Sequence, residues 1–252
     1  MALMLEPAVR TDVGRRANNE DAAFATRRLA AVADGVGGAA AGEVASRTII
    51  GVLESLEKSR LDRPLDDALA DTVALGNDRI GFVAACRPRL AGMSTTLTAV
   101  ALADDGDYVI ANVGDSRTYL LRDGALARLT RDDSLVQALI DRGALTEEQA
   151  RRHPQRSVVL EAIDGTPRAP WGVRTLAARP GDRLLLCSDG VSDVLADAET
   201  AAILRLEPDR DRCAGLLVDR ALAAGARDNV TTVVADVVAR TDPALLWPPA
   251  LP

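Results

Sequence analysis

Four aspartates stand at the ends of apolar stretches, an arrangement that suits metal chemistry. The four are Asp34 after residues 29–33, Asp115 after 108–113, Asp189 after 184–187, and Asp228 before 230–238. An unpaired carboxylate beside a core costs desolvation free energy and repels its fellows. Shared divalent cations would offset both costs, and oxygen-only ligands favour magnesium, manganese or calcium over zinc.

The residues that follow Asp34 strengthen this pattern. Gly35, Gly37 and Gly38 let the backbone turn sharply and approach a ligand closely. The competing interpretation is that Asp-Gly and Asp-Asn pairs simply form turns. That interpretation is adequate for any one of the four aspartates, but it does not account well for all four together.

Hydrophobic periodicity indicates which strands position these carboxylates. Residues 3–13 and 30–33 are typical of strands, and the polar segment 15–21 forms a turn between them. Further strands are predicted at residues 95–103, 108–113, 117–121, 126–129, 173–177, 183–187 and 230–238. Asp-Gly turns at 105–106 and 123–124 would join the first four of these into an antiparallel meander.

Helices are predicted in separate blocks. Apolar residues recur at helical spacing over residues 40–58 and 65–85, which predicts two long antiparallel helices packed on a sheet. Shorter helices are predicted at 135–142, 146–152, 197–204 and 210–224. The second of these starts with a capping box, Thr146 to Gln149. It lies in a polar insertion over residues 132–165, which we interpret as a lid.

Antiparallel strand runs with separate helix blocks predict an α+β fold, in which two sheets pack face to face and are covered by helices. No linker or internal repeat divides the chain. We therefore predict one domain over residues 1–240, followed by a proline-rich, disordered tail at residues 241–252.

The composition argues against several functional classes. A formal net charge of −7 disfavours nucleic-acid binding, which needs a basic face. Cys86, Cys187 and Cys213 are spaced too widely for a disulfide framework or a Cys-x-x-Cys metal site. No apolar run approaches the roughly 20 residues of a membrane span, and the first residues lack signal-peptide features. We expect a soluble, cytoplasmic protein with no membrane partner.

Six short motifs, taken in order, resemble those of a known family. They are Arg16-x-x-Asn19-Glu20-Asp21, Ala33-Asp34-Gly35-Val36-Gly37-Gly38, Gly92-x-Ser94-Thr95-Thr96, Asn112-Val113-Gly114-Asp115-Ser116-Arg117, Ser188-Asp189-Gly190 and Asp228-Asn229. The ordered set is similar to that of the metal-dependent protein phosphatases of type 2C. The segment 153–157, His-Pro-Gln-Arg-Ser, resembles the bacterial serine/threonine phosphatase branch. The resemblance covers about residues 6–240.

The resemblance implies a four-layer α/β/β/α sandwich, in which two packed antiparallel sheets are flanked by antiparallel helix pairs and residues 132–165 form a flap. It also implies two Mn²⁺ or Mg²⁺ ions, and a third that binds more weakly, as cofactors. Asp34 would bridge the first two ions, and the backbone carbonyl of Gly35 would bind one of them. Asp189 and Asp228 would hold the other.

Three further roles follow from the same resemblance. Glu20 would act on a metal through water, Asp115 would ligate the third ion together with Asp189, and Arg16 would bind the substrate phosphate through its planar fork. Two metals would lower the pKa of a bridging water, and the resulting hydroxide would attack phosphorus directly. The implied catalytic residues are Asp34, Asp189, Asp228 and Arg16.

The activity that the resemblance implies is hydrolysis of phosphoserine and phosphothreonine on proteins, which would reverse serine/threonine kinase signalling. The partners would be phosphorylated proteins, including serine/threonine kinases and their substrates, and we expect a monomer. The alternative is a catalytically inactive relative that acts as a binding or sensing module. The intact trio Asp34, Asp189 and Asp228 favours the enzyme.

Two positions, Val36 and His153, bear on which group could act as the acid. Some family members carry a histidine where this chain has Val36, so the acid that protonates the leaving alcohol is open, and a metal-bound water is the alternative. His153, the only histidine, lies in the lid and is interpreted as structural or close to the substrate. A cysteine phosphatase is disfavoured because no arginine stands six residues after any cysteine, and a serine hydrolase because Gly-x-Ser-x-Gly is missing.

Overall fold

The computed structural model describes residues 2–37, 40–59 and 61–239. Within them, the strands in chain order are β1 (Leu3–Asp12), β2 (Ala22–Ala25), β3 (Leu29–Ala33), β4 (Gly35–Val36), β5 (Ser94–Thr95), β6 (Leu97–Leu102), β7 (Asp107–Val113), β8 (Arg117–Arg122), β9 (Ala125–Arg128), β10 (Val173–Ala177), β11 (Arg183–Cys187) and β12 (Val230–Ala239). The helices are α1 (Ala40–Lys58), α2 (Leu65–Cys86), α3 (Leu135–Asp141), α4 (Glu147–Arg151), α5 (Asp189–Ser192), α6 (Asp197–Leu206) and α7 (Arg210–Ala223).

Two five-stranded antiparallel sheets form the centre of the molecule. The first sheet has the order β1-β12-β11-β8-β9, and the second sheet has the order β10-β7-β6-β3-β2. The short strands β4 and β5 pair separately. Three apolar clusters separate four layers: one between α1, α2 and the second sheet, one between the sheets, and one between the first sheet and α6 and α7. The predicted α/β/β/α sandwich is confirmed.

Strand β7 illustrates how the sequence produces these layers. Tyr108 and Ile110 belong to the cluster between the sheets, whereas Val109, Ala111 and Val113 belong to the cluster beneath the helices. Successive side chains of a strand point to opposite faces, so an uninterrupted apolar run is what a sheet covered on both sides requires. The site-bearing strands are therefore held rigidly by packing on both faces.

The two long helices pack side by side, as predicted, at a point where a glycine allows close approach. A Cβ atom on Gly76 of α2 would come within 2.2 Å of the Ile49 side chain of α1. In the insertion, α3 and α4 lie between β9 and β10, and the capping box at Thr146 and Gln149 is present. The lid role stays a prediction, as does the single domain, and the tail at residues 241–252 lies outside the described residues.

The predicted meander is wrong at one connection. Strands β6 and β7 form a hairpin in the second sheet and β8 and β9 form one in the first, so the chain crosses between sheets after Val113. Gly114, with a φ of +93°, makes this sharp turn. The prediction also missed β2, β4 and α5, and it joined β5 and β6 into one strand.

Among the described residues, none of the helices combines the length and the apolar character that crossing a membrane requires.

Candidate metal centre

Antiparallel pairing brings the predicted site loops to one end of the sandwich. Strand β11 ends where β12 begins, and β1 ends at the same place. In the second sheet, β3 and β7 both end where β6 begins. The residues after β3, β7 and β11 and those before β12 therefore meet, although they are far apart in the chain.

Asp34 is held through its backbone by two threonines. Its N–H donates to Thr96 Oγ1 at 3.0 Å, and its carbonyl accepts from the Thr96 N–H at 2.8 Å and from Thr95 Oγ1 at 2.9 Å. Thr96 Oγ1 also lies 2.8 Å from Ser116 Oγ, in the loop that carries Asp115. These bonds fix the chain at Asp34 and leave its carboxylate to the cleft.

Gly35 occupies a position that no larger residue fits. A Cβ atom there would lie 2.2 Å from the Gly42 carbonyl oxygen and 2.7 Å from the Glu20 carbonyl oxygen. A Cβ atom on Gly42 would in turn lie 2.0 Å from Glu20 Oε2. The missing side chains thus let the start of α1, the Glu20 loop and the Gly35 backbone approach each other closely.

Asp21 joins the cluster although the sequence analysis gave it no role. Its Oδ2 accepts from Ser188 Oγ at 2.9 Å, and Ser188 Oγ accepts from the Thr231 N–H at 3.1 Å. Its Oδ1 is buried without a hydrogen-bond partner. The available signal was its place between Glu20 and the apolar residues of β2, the same strand-edge position that singled out the other aspartates.

Arg16 makes an ion pair with one of the predicted metal ligands. Its Nη2 lies 2.5 Å from Asp228 Oδ2, while Asp228 Oδ1 accepts from the Asn229 N–H at 2.9 Å. The Arg16 side chain is 57% exposed, so the rest of its guanidinium faces solvent. This hydrogen bond and charge raise the pKa of Arg16 further above its usual range.

The cluster carries more negative charge than its partners balance. Burial raises the pKa of Asp34 well above the usual carboxyl value, and repulsion from Asp21 and Asp189 adds to the shift. Burial, then repulsion from Asp115, also raises the pKa of Asp189. Such shifts mark carboxylates that lack compensating cations.

Two neighbouring carboxylates show the same effect. The pKa of Asp115 is raised to about 7, mainly by burial and then by repulsion from Asp132 and Asp193. The pKa of Asp21 is raised to about 6, again mainly by burial. The charge excess therefore extends across the whole set rather than belonging to one side chain.

All seven predicted site residues line one cleft. They are Arg16, Glu20, Asp34, Gly35, Asp115, Asp189 and Asp228. The insertion supplies part of the opposite wall through Ser157, Val158 and Val159, and Val36 lies at the rim, 44% exposed. His153 is not among the lining residues; its Nδ1 accepts from the Gln155 N–H at 3.2 Å, which supports a structural role in the lid.

The donor atoms at the cleft have the chemistry that a hard cation requires. Carboxylate oxygens with raised pKa values suit Mn²⁺ or Mg²⁺, and Asp189 Oδ1 is buried with no hydrogen-bond partner. In the described part of the chain, however, no three acidic, histidine or cysteine side chains already form a group that could hold a metal ion. Asp228 is instead engaged by Arg16. The residues therefore fit divalent cations chemically, although they do not form a closed cage.

Known proteins of similar sequence share this fold. The protein phosphatase 2C family profile matches residues 12–212, and the chain belongs to that family. It is 46% identical over 242 residues to the serine/threonine protein phosphatase PstP of Mycobacterium tuberculosis, which covers 94% of this chain but 46% of the relative. The chain thus spans about half the length of that relative.

A second relative, and a crystal structure of the PstP catalytic domain alone, are matched over nearly their full length. The serine/threonine phosphatase stp of Listeria innocua is 34% identical over 237 residues, covering 90% of this chain and 94% of the relative. A crystal structure of the catalytic domain of PstP in complex with two manganese ions matches with a TM-score of 0.87 and 43% identity, covering 94% of this chain and all of that one.

Proposed function

We propose that this protein is a metal-dependent phosphatase that hydrolyses phosphoserine and phosphothreonine on proteins. The observation that carries the proposal is the convergence of the seven residues on one cleft, with an excess of buried negative charge. Such charge is unfavourable in a purely structural site and suits divalent cations. Family membership and the names of the relatives support the same activity.

Asp34, Asp189 and Asp228 would hold two Mn²⁺ or Mg²⁺ ions, together with the Gly35 carbonyl and with Glu20 through water. Asp115, with Asp189, would hold a third ion more weakly. When bound, these cations would neutralise charge on the phosphoryl group and make a water acidic enough to react near neutral pH. The two manganese ions in the PstP catalytic domain support this choice of cofactor.

Arg16 would bind the phosphate of the substrate. Its side chain is more than half exposed at the cleft and is anchored at one end by Asp228. A guanidinium presents several donors in one plane, so it can bind phosphate oxygens and keep its carboxylate partner at the same time. The exposed apolar rim at Val36 and Val158 would face the peptide around the phosphorylated residue.

Phosphorylated proteins are the substrates that this proposal names, and serine/threonine kinases and their substrates are the expected partners. A monomeric state and a cytoplasmic location stay predictions. The net charge of −7 supports the expectation that nucleic acid is not a partner. The catalytically inactive module has no observation in its favour, since every predicted ligand position is filled by an oxygen donor.

The activity can be tested with purified protein and p-nitrophenyl phosphate. We expect negligible turnover in chelator, turnover on addition of Mn²⁺, and loss of that turnover in Asp34→Asn. Phosphothreonine peptides should also be hydrolysed with Mn²⁺. A wild-type protein that binds Mn²⁺ but releases no phosphate from either substrate would overturn the proposal and favour the binding module.

A further inference from the structure

We propose that Asn229 is a positioning residue that fixes the Arg16 loop against the metal cleft, an inference that rests on the proposed function for its catalytic consequence. The Arg16 loop is defined as residues 13–20. Asn229 follows Asp228 directly and is 3% exposed. Its side chain crosses from β12 to a loop more than 200 positions earlier in the chain.

The Asn229 amide uses both of its ends on the Arg16 loop. Its Nδ2 donates to the carbonyl of Val13 at 2.9 Å and to the carbonyl of Asn18 at 2.9 Å. Its Oδ1 accepts from the N–H of Glu20 at 2.8 Å. These three bonds hold both ends of the loop, with Arg16 between the two carbonyls that are bound.

Backbone contacts on either side of Asn229 add to this junction. A Cβ atom on Gly14 would lie 2.1 Å from the Asp228 carbonyl oxygen, and one on Gly190 would lie 2.0 Å from the Asn229 carbonyl oxygen. Gly14 has a φ of +60°, which glycine adopts without strain. The Arg16 loop, Asp228 and the residue after Asp189 thus meet at the Asn229 backbone.

An amide is the chemical group that this position needs. Two carbonyls require donors and one N–H requires an acceptor, and a side-chain amide supplies both within a single short residue. Aspartate would keep the acceptor, lose both donors and add charge beside an already repulsive cluster. Alanine would remove all three of these bonds, and the Val13 carbonyl would keep only its 3.3 Å bond from the Arg16 N–H among those described for it.

The consequence for function lies in how Arg16 is oriented. One oxygen of Asp228 accepts from Arg16, and the other accepts from the Asn229 N–H. Asn229 therefore sets the position of Asp228 through its backbone and that of the Arg16 loop through its side chain. Without the amide, the loop would lose its attachment, and Arg16 would meet phosphate at a greater entropic cost.

The chain offers a matched control in Asn77 on α2. Asn77 is also 3% exposed, and its Nδ2 donates to the Thr166 carbonyl at 3.0 Å while its Oδ1 accepts from the Gly165 N–H at 2.9 Å. It is thus a buried amide that fastens a loop, as Asn229 is. Neither Asn77 nor its partners line the cleft.

The test measures binding of inorganic phosphate with saturating Mn²⁺ by calorimetry, in the wild type, Asn229→Ala, Arg16→Ala, the double variant and Asn77→Ala. We expect Asn229→Ala and Arg16→Ala each to weaken phosphate binding roughly tenfold, the effect of one charge-assisted hydrogen bond. The double variant should bind about as weakly as Arg16→Ala alone, because Asn229 acts through Arg16. KM for p-nitrophenyl phosphate should follow the same pattern.

A second readout requires neither metal nor turnover. In metal-free wild-type protein the Glu20 amide should be protected from hydrogen exchange, and in Asn229→Ala that protection should be lost while the sheets stay protected. Additive losses in the double variant, or an equal loss of phosphate binding in Asn77→Ala, would contradict the inference.

Two other results are distinguishable from a failure of this inference: a variant that does not fold, and a wild-type protein without phosphatase activity. If Asn229→Ala does not fold, the near-isosteric Asn229→Leu, which also removes the amide without adding charge, replaces it with the same expected results. If neither folds, the residue is a general structural element and the inference is wrong. If the wild type binds phosphate but hydrolyses no substrate, the proposed function fails, whereas the phosphate-binding and exchange results still decide the role of Asn229.

Discussion

The two ends of the sandwich bury carboxylates in opposite ways. At one end, Asp182 stands just before β11 and is 1% exposed. It accepts from the Tyr108 hydroxyl at 2.7 Å, from the Arg122 guanidinium at 2.7 and 2.6 Å, and from the Arg179 N–H at 2.8 Å. Burial acts to raise the pKa of Asp182, but these donors outweigh it and lower the pKa below the usual carboxyl value.

At the other end of the same strand, Asp189 follows β11 and lacks such partners. Its Oδ1 is buried without a hydrogen bond, and burial and neighbouring carboxylates raise its pKa. Both aspartates thus have buried carboxylate oxygens, and they differ in whether donors bind those oxygens. A buried carboxylate that stabilises the fold has hydrogen-bond donors around it, as Asp182 does. A cluster of buried carboxylates without such donors is explained by a bound cation that supplies the missing positive charge.

The strongest test of this difference between the two ends is to neutralise a carboxylate at the cleft. Asp34→Asn and Asp189→Asn should each lower kcat/KM with Mn²⁺ by on the order of a thousandfold, because a metal ligand is lost. The metal-free variants should be at least as stable as the wild type, since one repelling charge is removed. Steady-state kinetics and chemical denaturation in chelator measure the two effects. A variant that is inactive because it is unfolded would contradict the comparison.

Removing the carboxylate at the paired end should have the opposite pattern of effects. Asp182→Ala removes the acceptor of Arg122 and Tyr108, and breaking such a buried pair costs roughly 3–5 kcal/mol of the free energy of unfolding. The kcat of the protein that remains folded should be unchanged, because Asp182 lies at the opposite end of β11. Urea unfolding monitored by circular dichroism, with kinetics at a temperature where the variant is folded, provides the measurement. Equal damage to kcat would mean that the two ends are not independent.

In the metal-free protein, the carboxylates at the two ends should change the free energy of unfolding with pH in opposite directions. The pKa values of Asp21 and Asp115 are raised to about 6 and about 7, mainly by burial. These groups bind protons more tightly in the folded state, so their full destabilising effect is present above pH 7. It shrinks as the pH falls below the folded pKa values and is gone only below the unfolded carboxyl pKa of about 4. Asp182, whose pKa is lowered, stabilises the fold above its unfolded pKa, and that contribution is lost only in stronger acid.

Thermal unfolding in chelator between pH 8 and pH 5 measures this effect. We expect Tm to rise as the pH falls, by several degrees, and we expect Asp115→Asn to reduce the rise. Saturating Mn²⁺ should reverse the trend, because bound cations favour the charged carboxylates. A metal-free Tm that falls steadily over this range would show that the cleft carboxylates are balanced by donors.

The elements that can be predicted from the sequence are those whose determining interactions are local. Periodicity over residues 40–58 and 65–85 predicted α1 and α2, and the carboxylates at strand ends follow from the same apolar patterns. The resemblance to type 2C phosphatases supplied the roles that local patterns could not. The crossing between sheets was missed because the turn after Val113 has the same glycine signal as a hairpin.

The features that the sequence analysis missed depend on contacts between distant segments. Helix α5 has four residues, too few to show periodicity, and it begins where Gly190 packs against the Asn229 carbonyl. The Arg16–Asp228 ion pair and the three Asn229 bonds join segments more than 200 positions apart. No pattern within one segment encodes such pairs, so the motifs indicated which residues matter without indicating how they are held.

We expect the smallest loss of activity at Asp115, whose surroundings combine features of the paired Asp182 and of the cleft carboxylates. It is 8% exposed, and its neighbour Arg117 is committed to Asp132 through hydrogen bonds of 3.0 and 2.6 Å. Burial raises its pKa, as at the cleft, but attraction to Arg117 lowers it in part. Asp115→Asn should therefore lower activity only a few-fold at saturating Mn²⁺, and more when Mn²⁺ is limiting, because a weaker ion is affected. Activity titrated against Mn²⁺ measures this; a loss as large as that of Asp34→Asn at saturating metal would place Asp115 among the primary ligands instead.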